Sequence, residues 1–116
     1  TILEKGIVGE TYNIGGNNEI TNLNIVKTVC DILDSIKPRK NSKSYSELIS
    51  FVTDRPGHDF RYAIDSTKIQ KKLNWYPKDT FESGINKTIS WYLDNQDWCL
   101  NIKNTKYAQQ RLGLNT

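Results

Sequence analysis

Only three short stretches of this sequence look like β-structure, and a sheet cannot close on so few. Residues 10–15 alternate around Tyr12 and Ile14 and stop at Gly15-Gly16, which reads as a strand followed by a turn. Ser50-Phe51-Val52-Thr53 is a second strand candidate, and Tyr62-Ala63-Ile64-Asp65 is a third short extended segment. Helical patterns fill the rest. The predicted order is strand, helix, strand, extended segment, helix, helix, a small α/β arrangement. With so little sheet, some apolar helix surface is expected to face a part of the protein outside this chain.

The helices are well signposted. One starts near Thr21 or Asn22, either of which can cap it. Ile25, Val26, Val29, Ile32, Leu33 and Ile36 recur at helical spacing as its inner face, and Pro38 marks its end. Ser44-Tyr45-Ser46-Glu47 has capping-box spacing and predicts a short helical turn. Ser66 is expected to cap a helix from Thr67 to about Leu73, with Ile69 and Leu73 inward and Asn74 in the left-handed position that ends it. Thr80 is expected to cap the last main helix, whose inner face is Phe81, Ile85, Ile89, Tyr92 and Leu93. Glu82 in its first turn complements the helix dipole. The tail, residues 103–116, is polar. The opening Thr1-Ile2-Leu3-Glu4-Lys5-Gly6 reads like the end of a helix already under way. Because residue 1 is Thr and the chain has no Met, either a processed start or a piece of a longer protein is expected.

Composition removes several classes of function. Sixteen Lys and Arg against thirteen Asp and Glu leave +3, well below the concentrated charge of a dedicated nucleic-acid binder. No apolar run approaches the ~20 residues of a membrane span. The basic residues of 37–43 read as a solvated loop. Two cysteines make no disulfide framework: Cys30 falls among core-facing residues and Cys99 reads as a partly exposed thiol. A single His and no paired Cys argue against a metal site. This cysteine usage fits a reducing compartment, the cytoplasm.

Much of the chemistry of a nucleotide-dependent enzyme is missing. Gly15-Gly16 follows a strand candidate, but no glycine falls at the later positions of a dinucleotide fingerprint. None of the six Tyr is followed four residues later by the Lys that short-chain dehydrogenases pair with it. No Ser sits in a nucleophile elbow that His58 could serve. No self-contained catalytic apparatus is legible, so no catalytic residue is assigned.

Binding chemistry is present. Asp54-Arg55-Pro56-Gly57-His58-Asp59 is the densest polar cluster. Arg55 offers a two-pronged contact to a phosphate, and His58 can donate to a phosphate oxygen or a sugar hydroxyl. Gly57 lets the backbone approach a ligand, and Pro56 stiffens the loop. The same cluster also reads as a plain turn in which Asp54 or Asp59 pairs with Arg55 or Arg61. Asn22 sits at a helix start, where backbone N–H groups favour an anion; simple capping is its other reading.

The segment Gly9-Glu10-Thr11-Tyr12-Asn13-Ile14-Gly15-Gly16, then Asn18-Glu19 and Asn22-Leu23, resembles the C-terminal part of the dTDP-glucose 4,6-dehydratase family. So do Asp54-Arg55-Pro56-Gly57-His58-Asp59, Arg61-Tyr62-Ala63-Ile64-Asp65, Phe81-Glu82-Ser83-Gly84-Ile85 and Trp91-Tyr92-Leu93. The likeness runs from about residue 3 to residue 98. Its first block is shared with other nucleotide-sugar enzymes of the extended short-chain dehydrogenase class, whereas the Arg-Pro-Gly-His-Asp block is more specific to dehydratases. Asn74 stands where the family usually has Gly before Trp75.

The resemblance implies an α/β fold: the small C-terminal substrate-binding portion of an extended short-chain dehydrogenase, without the N-terminal Rossmann domain. Residues 1–102 would be the nucleotide-sugar-binding segment of a lyase that converts dTDP-glucose to its 4-keto-6-deoxy product, used for rhamnose and other deoxysugars. It implies NAD as cofactor, bound in the absent domain, and a thymidine-diphosphate sugar as ligand. The full-length enzyme would be a homodimer, joined mostly through the absent half. By the same resemblance, Asn22, Asp54, Arg55, Pro56, Gly57 and His58 match substrate-binding positions. Competing readings are a segment of another nucleotide-sugar epimerase or decarboxylase, and an inactive truncated binding module.

Overall fold

The computed structural model describes residues 1–59 and 62–105. Its regular elements are α1 (Ile2–Lys5), α2 (Asn22–Ile36), a 3₁₀ helix (Tyr45–Leu48), α3 (Thr67–Leu73), α4 (Phe81–Asp94) and α5 (Gln96–Thr105). The capping expectations explain most of the helix starts. Thr21 accepts the Asn24 N–H at 3.3 Å and Thr80 accepts the Ser83 N–H at 3.3 Å; such caps each stabilise a helix by about 1 kcal/mol. Asn74 ends α3 in the left-handed conformation, φ 50°. Helix α1 stops at Gly6, whose backbone is extended.

Ser66 behaves differently from the expectation. It precedes α3 but makes no capping bond; Asp65 Oδ1 takes the Thr67 N–H instead, at 2.8 Å. The Ser66 hydroxyl is fully buried and donates to Asn17 Oδ1 at 3.0 Å, while Gln70 donates to Ser66 Oγ at 2.9 Å. Burial of a hydroxyl is tolerated because both bonds are made.

The strand expectation fails. Among the described residues none is in a strand, including 10–15, 50–53 and 62–65. A strand exists only through a ladder of main-chain bonds to a neighbour, and no such ladder forms among the described residues. Residues 10–15 and 62–65 do lie side by side, but through side chains. Asn13 Nδ2 donates to the Asp65 carbonyl at 3.3 Å, and a Cβ on Gly15 would stand 3.2 Å from Ile64. The α/β expectation therefore does not hold for the described residues taken alone, which are helical.

The core is correspondingly small. Cys30 of α2, Ile69 and Leu73 of α3, and Ile89 of α4 are its buried apolar residues, and α2 packs on α4 and on the 3₁₀ helix. Val26, Ile36 and Tyr92, expected inside, are exposed. They lie on the flanks of their helices, where no layer covers them. Asp34 ties α2 to the 3₁₀ helix, accepting the Ser44 hydroxyl at 2.6 Å and the Tyr45 N–H at 2.9 Å. These bonds hold its carboxyl below the usual aspartate range, the Ser44 hydroxyl most of all. Helix α5 was not legible from the sequence, because its apolar residues are sparse; Cys99 on it is part-exposed, as expected. The expected tail from residue 103 lies beyond the described residues after Thr105.

Candidate functional site

The loop from Asp54 to His58 is built around one carboxylate oxygen. Asp54 Oδ1 accepts the Arg55 main-chain N–H at 2.8 Å and stands 2.8 Å from His58 Nδ1. These bonds lower the Asp54 pKa, the His58 contact first and the Arg55 N–H next. Pro56 and Gly57 form the turn between, as their composition predicts. Gly57 has φ +68°, a left-handed conformation open to glycine at no steric cost. Nothing lies within 4 Å of where its Cβ would be. The glycine is thus required by the backbone and leaves one side of the loop open.

The plain-turn reading pairs Asp54 or Asp59 with Arg55 or Arg61. Asp54 Oδ1 is committed to the imidazole and to a main-chain donor. The neighbouring Asp59 carboxylate pushes the Tyr62 pKa up, with partial desolvation next. Arg61, the other expected partner, lies outside the described residues.

Asn22 is the first residue of α2 and Thr21 takes the cap, so Asn22 is not occupied by capping. It is exposed. Among the described residues no hydrogen bond or ion pair joins it to residues 54–58. Asp54, Arg55, Pro56, Gly57 and His58 thus share one loop, and Asn22 stands at the start of α2.

A groove of about 460 Å³ has residues 15–19 on one wall and 62–65 on the other. None of the six expected binding residues lines it. Sequence reasoning missed it. The available signal was the Gly15-Gly16-Asn17-Asn18 turn, whose Asn17 adopts φ 54°. The walls are held together by the Asn17–Ser66 bond, which no local pattern reveals.

Residues 4–88 match the family model described as GDP-mannose 4,6 dehydratase. The chain is 52% identical to a dTDP-glucose 4,6-dehydratase of Neisseria meningitidis serogroup B over 114 residues, 97% of this chain and 32% of that protein. It is 55% identical to dTDP-glucose 4,6-dehydratase 1 of Escherichia coli K12 over 107 residues, 92% of this chain and 29% of that one. The crystal structure of the Bacillus anthracis dTDP-glucose 4,6-dehydratase, in complex with NAD, superposes with a TM-score of 0.67 at 44% identity, covering 84% of this chain and 28% of its own. The chain thus spans about a third of the length of the curated relatives it matches. Its helices have the arrangement of a small portion of a dehydratase fold, and the family expected from the sequence is the one found. With most of its residues inside that pattern, the chain belongs to the GDP-mannose 4,6 dehydratase family.

Proposed function

We propose that this chain is the C-terminal, nucleotide-sugar-binding segment of a dTDP-glucose 4,6-dehydratase. In this reading the whole enzyme converts dTDP-glucose to dTDP-4-keto-6-deoxyglucose and water. Residues 1–102 help hold the thymidine-diphosphate sugar. Arg55 and His58 face the ligand's polar groups, Pro56 and Gly57 shape the loop, Asp54 holds His58, and Asn22 offers a carboxamide at the start of α2. The observation that carries this reading is the commitment of Asp54 Oδ1 to His58 and to the Arg55 N–H. No catalytic residue is assigned to this chain.

NAD, present in the Bacillus anthracis complex, does not fit the residues here. A dinucleotide cradle needs glycines that admit a diphosphate at a strand-to-helix turn. Gly15 serves packing instead, since a Cβ there would press on Ile64, and one on Gly16 would stand 3.3 Å from the Asn18 amide. The cofactor site is assigned to the remainder of the enzyme. That enzyme is read as cytoplasmic and homodimeric, with contacts mostly outside this chain, and without nucleic-acid or membrane partners. Among the described residues no helix is long and apolar enough to cross a membrane.

The test is Arg55→Ala in an enzyme carrying this chain. Loss of a charge-assisted contact to the diphosphate should cost roughly 1.5–3 kcal/mol, about tenfold to more than a hundredfold in dTDP affinity. Arg55→Lys should recover part, since the bidentate geometry is lost. The effect should fall mainly on KM, because the diphosphate is remote from the reacting carbons. Unchanged dTDP affinity with a lowered melting temperature would reject the phosphate role.

A further inference from the structure

Which nitrogen of His58 carries its proton is decided inside the loop. Asp54 Oδ1 accepts the Arg55 main-chain N–H at 2.8 Å, and His58 Nδ1 stands 2.8 Å from the same oxygen. The Asp54 carboxyl is held below the ordinary aspartate range, so at neutral pH it is ionised and can only accept. Nδ1 must therefore be the donor. A neutral imidazole has a single N–H, and here it is committed to Asp54. What the ring has left for a ligand is the Nε2 lone pair.

That nitrogen is usable. The His58 side chain is 27% exposed, and among the described residues no hydrogen bond is made to its Nε2. The adjoining Gly57 has nothing within 4 Å of the place its Cβ would take, so the loop is open there. As read from the sequence, His58 donates to a phosphate oxygen or a sugar hydroxyl. The bond to Asp54 removes that donor. An ionised phosphate offers only acceptors, and a neutral Nε2 set against one would face lone pair with lone pair. The nucleotide of dTDP carries two donors of the right kind, the deoxyribose hydroxyl and the thymine N–H.

We infer that Asp54 is a positioning residue that fixes the His58 proton on Nδ1, and that His58 Nε2 accepts a hydrogen bond from the deoxyribose hydroxyl or the thymine N–H rather than bonding a phosphate. This rests on the reading of the loop as nucleotide-binding. It divides the loop's work: the Arg55 guanidinium takes the charge of the diphosphate, and His58 reads the nucleoside.

The experiment has two arms, both on an enzyme carrying this chain. Nitrogen-15 NMR of the histidine rings, with the His58 signals identified by their loss in His58→Gln, should show a protonated Nδ1 and a bare Nε2. Asp54→Ala should lose that pattern. Asp54→Asn should keep it, because the Arg55 N–H demands an acceptor oxygen at that point. In the second arm, dTDP is compared with its 3′-deoxy and N3-methyl analogues. One analogue should bind about tenfold more weakly than dTDP, and that difference should vanish in His58→Ala and shrink in Asp54→Ala. The analogue that loses affinity identifies the donor. An enzyme that binds dTDP while neither analogue's loss depends on His58 overturns the inference and spares the functional reading. A complex in which both His58 nitrogens carry protons, or only Nε2 does, overturns it as well. Failure to bind dTDP at all sinks the functional reading and the inference with it.

Discussion

His58 Nδ1 and Asp54 Oδ1 stand 2.8 Å apart and close the candidate loop on itself. The bond joins a part-buried imidazole to an exposed carboxylate four residues earlier. It shapes the loop without using the Arg55 side chain.

The pH dependence follows from the lowered Asp54 pKa. A carboxyl whose folded pKa lies below its unfolded one contributes order that is fully present above the unfolded value, and loses it as pH falls through the folded value. The loop should therefore stay closed through neutral and mildly acidic pH. It should open only below the ordinary aspartate value of 3.8. A carboxyl NMR titration of Asp54 should give a midpoint below that value, and His58→Ala should move it upward. A midpoint unmoved by His58→Ala would remove the bond from the account.

Gly57→Ala tests the turn itself. Because space is open around the missing Cβ, the cost is that of the left-handed backbone alone, about 1–2 kcal/mol. Gly57→Asn should cost less, since Asn tolerates this conformation. Equal costs for Ala and Asn, read from thermal melts, would point to something other than φ.

Ser66→Ala should destabilise the chain by about 1–3 kcal/mol, since it strands the Gln70 amide and removes the donor to Asn17. Asn17→Gly keeps the left-handed backbone easy while deleting the acceptor. If it is as stable as the parent in urea unfolding, the backbone and not the hydrogen bond is what matters at residue 17.

The thin core predicts exposed apolar surface in solution. Val8 is 101% exposed and Phe51 84%. The isolated chain should bind a hydrophobic dye and associate as its concentration rises. Phe51→Ser should reduce dye fluorescence while leaving the helical circular dichroism unchanged. A dye-silent monomer would contradict the exposure seen here.

Local pattern alone determined α2, the 3₁₀ helix, α3 and α4. Thr21 and Thr80 cap because a side-chain oxygen at that position reaches an N–H already present within one turn. Asn74 and Gly57 adopt positive φ because few residues do so cheaply. Ile69 and Leu73 face inward because helical spacing puts them on one stripe. The family was legible too, from the Arg-Pro-Gly-His-Asp block and the Tyr-Asn-Ile-Gly-Gly block. What the sequence left open needed long-range contacts. Residues 10–15 and 50–53 carry strand patterns, but a strand is a property of a pair, and no partner main chain meets 10–15 within the described residues. The sequence reads Ser66 as a cap because caps are local; its hydroxyl turns inward because Asn17, far away in sequence, offers an acceptor. The sequence named several partners for Asp54; only the folded loop gives its Oδ1 to His58 and to the Arg55 main-chain N–H, because the turn at Pro56 and Gly57 brings both to it.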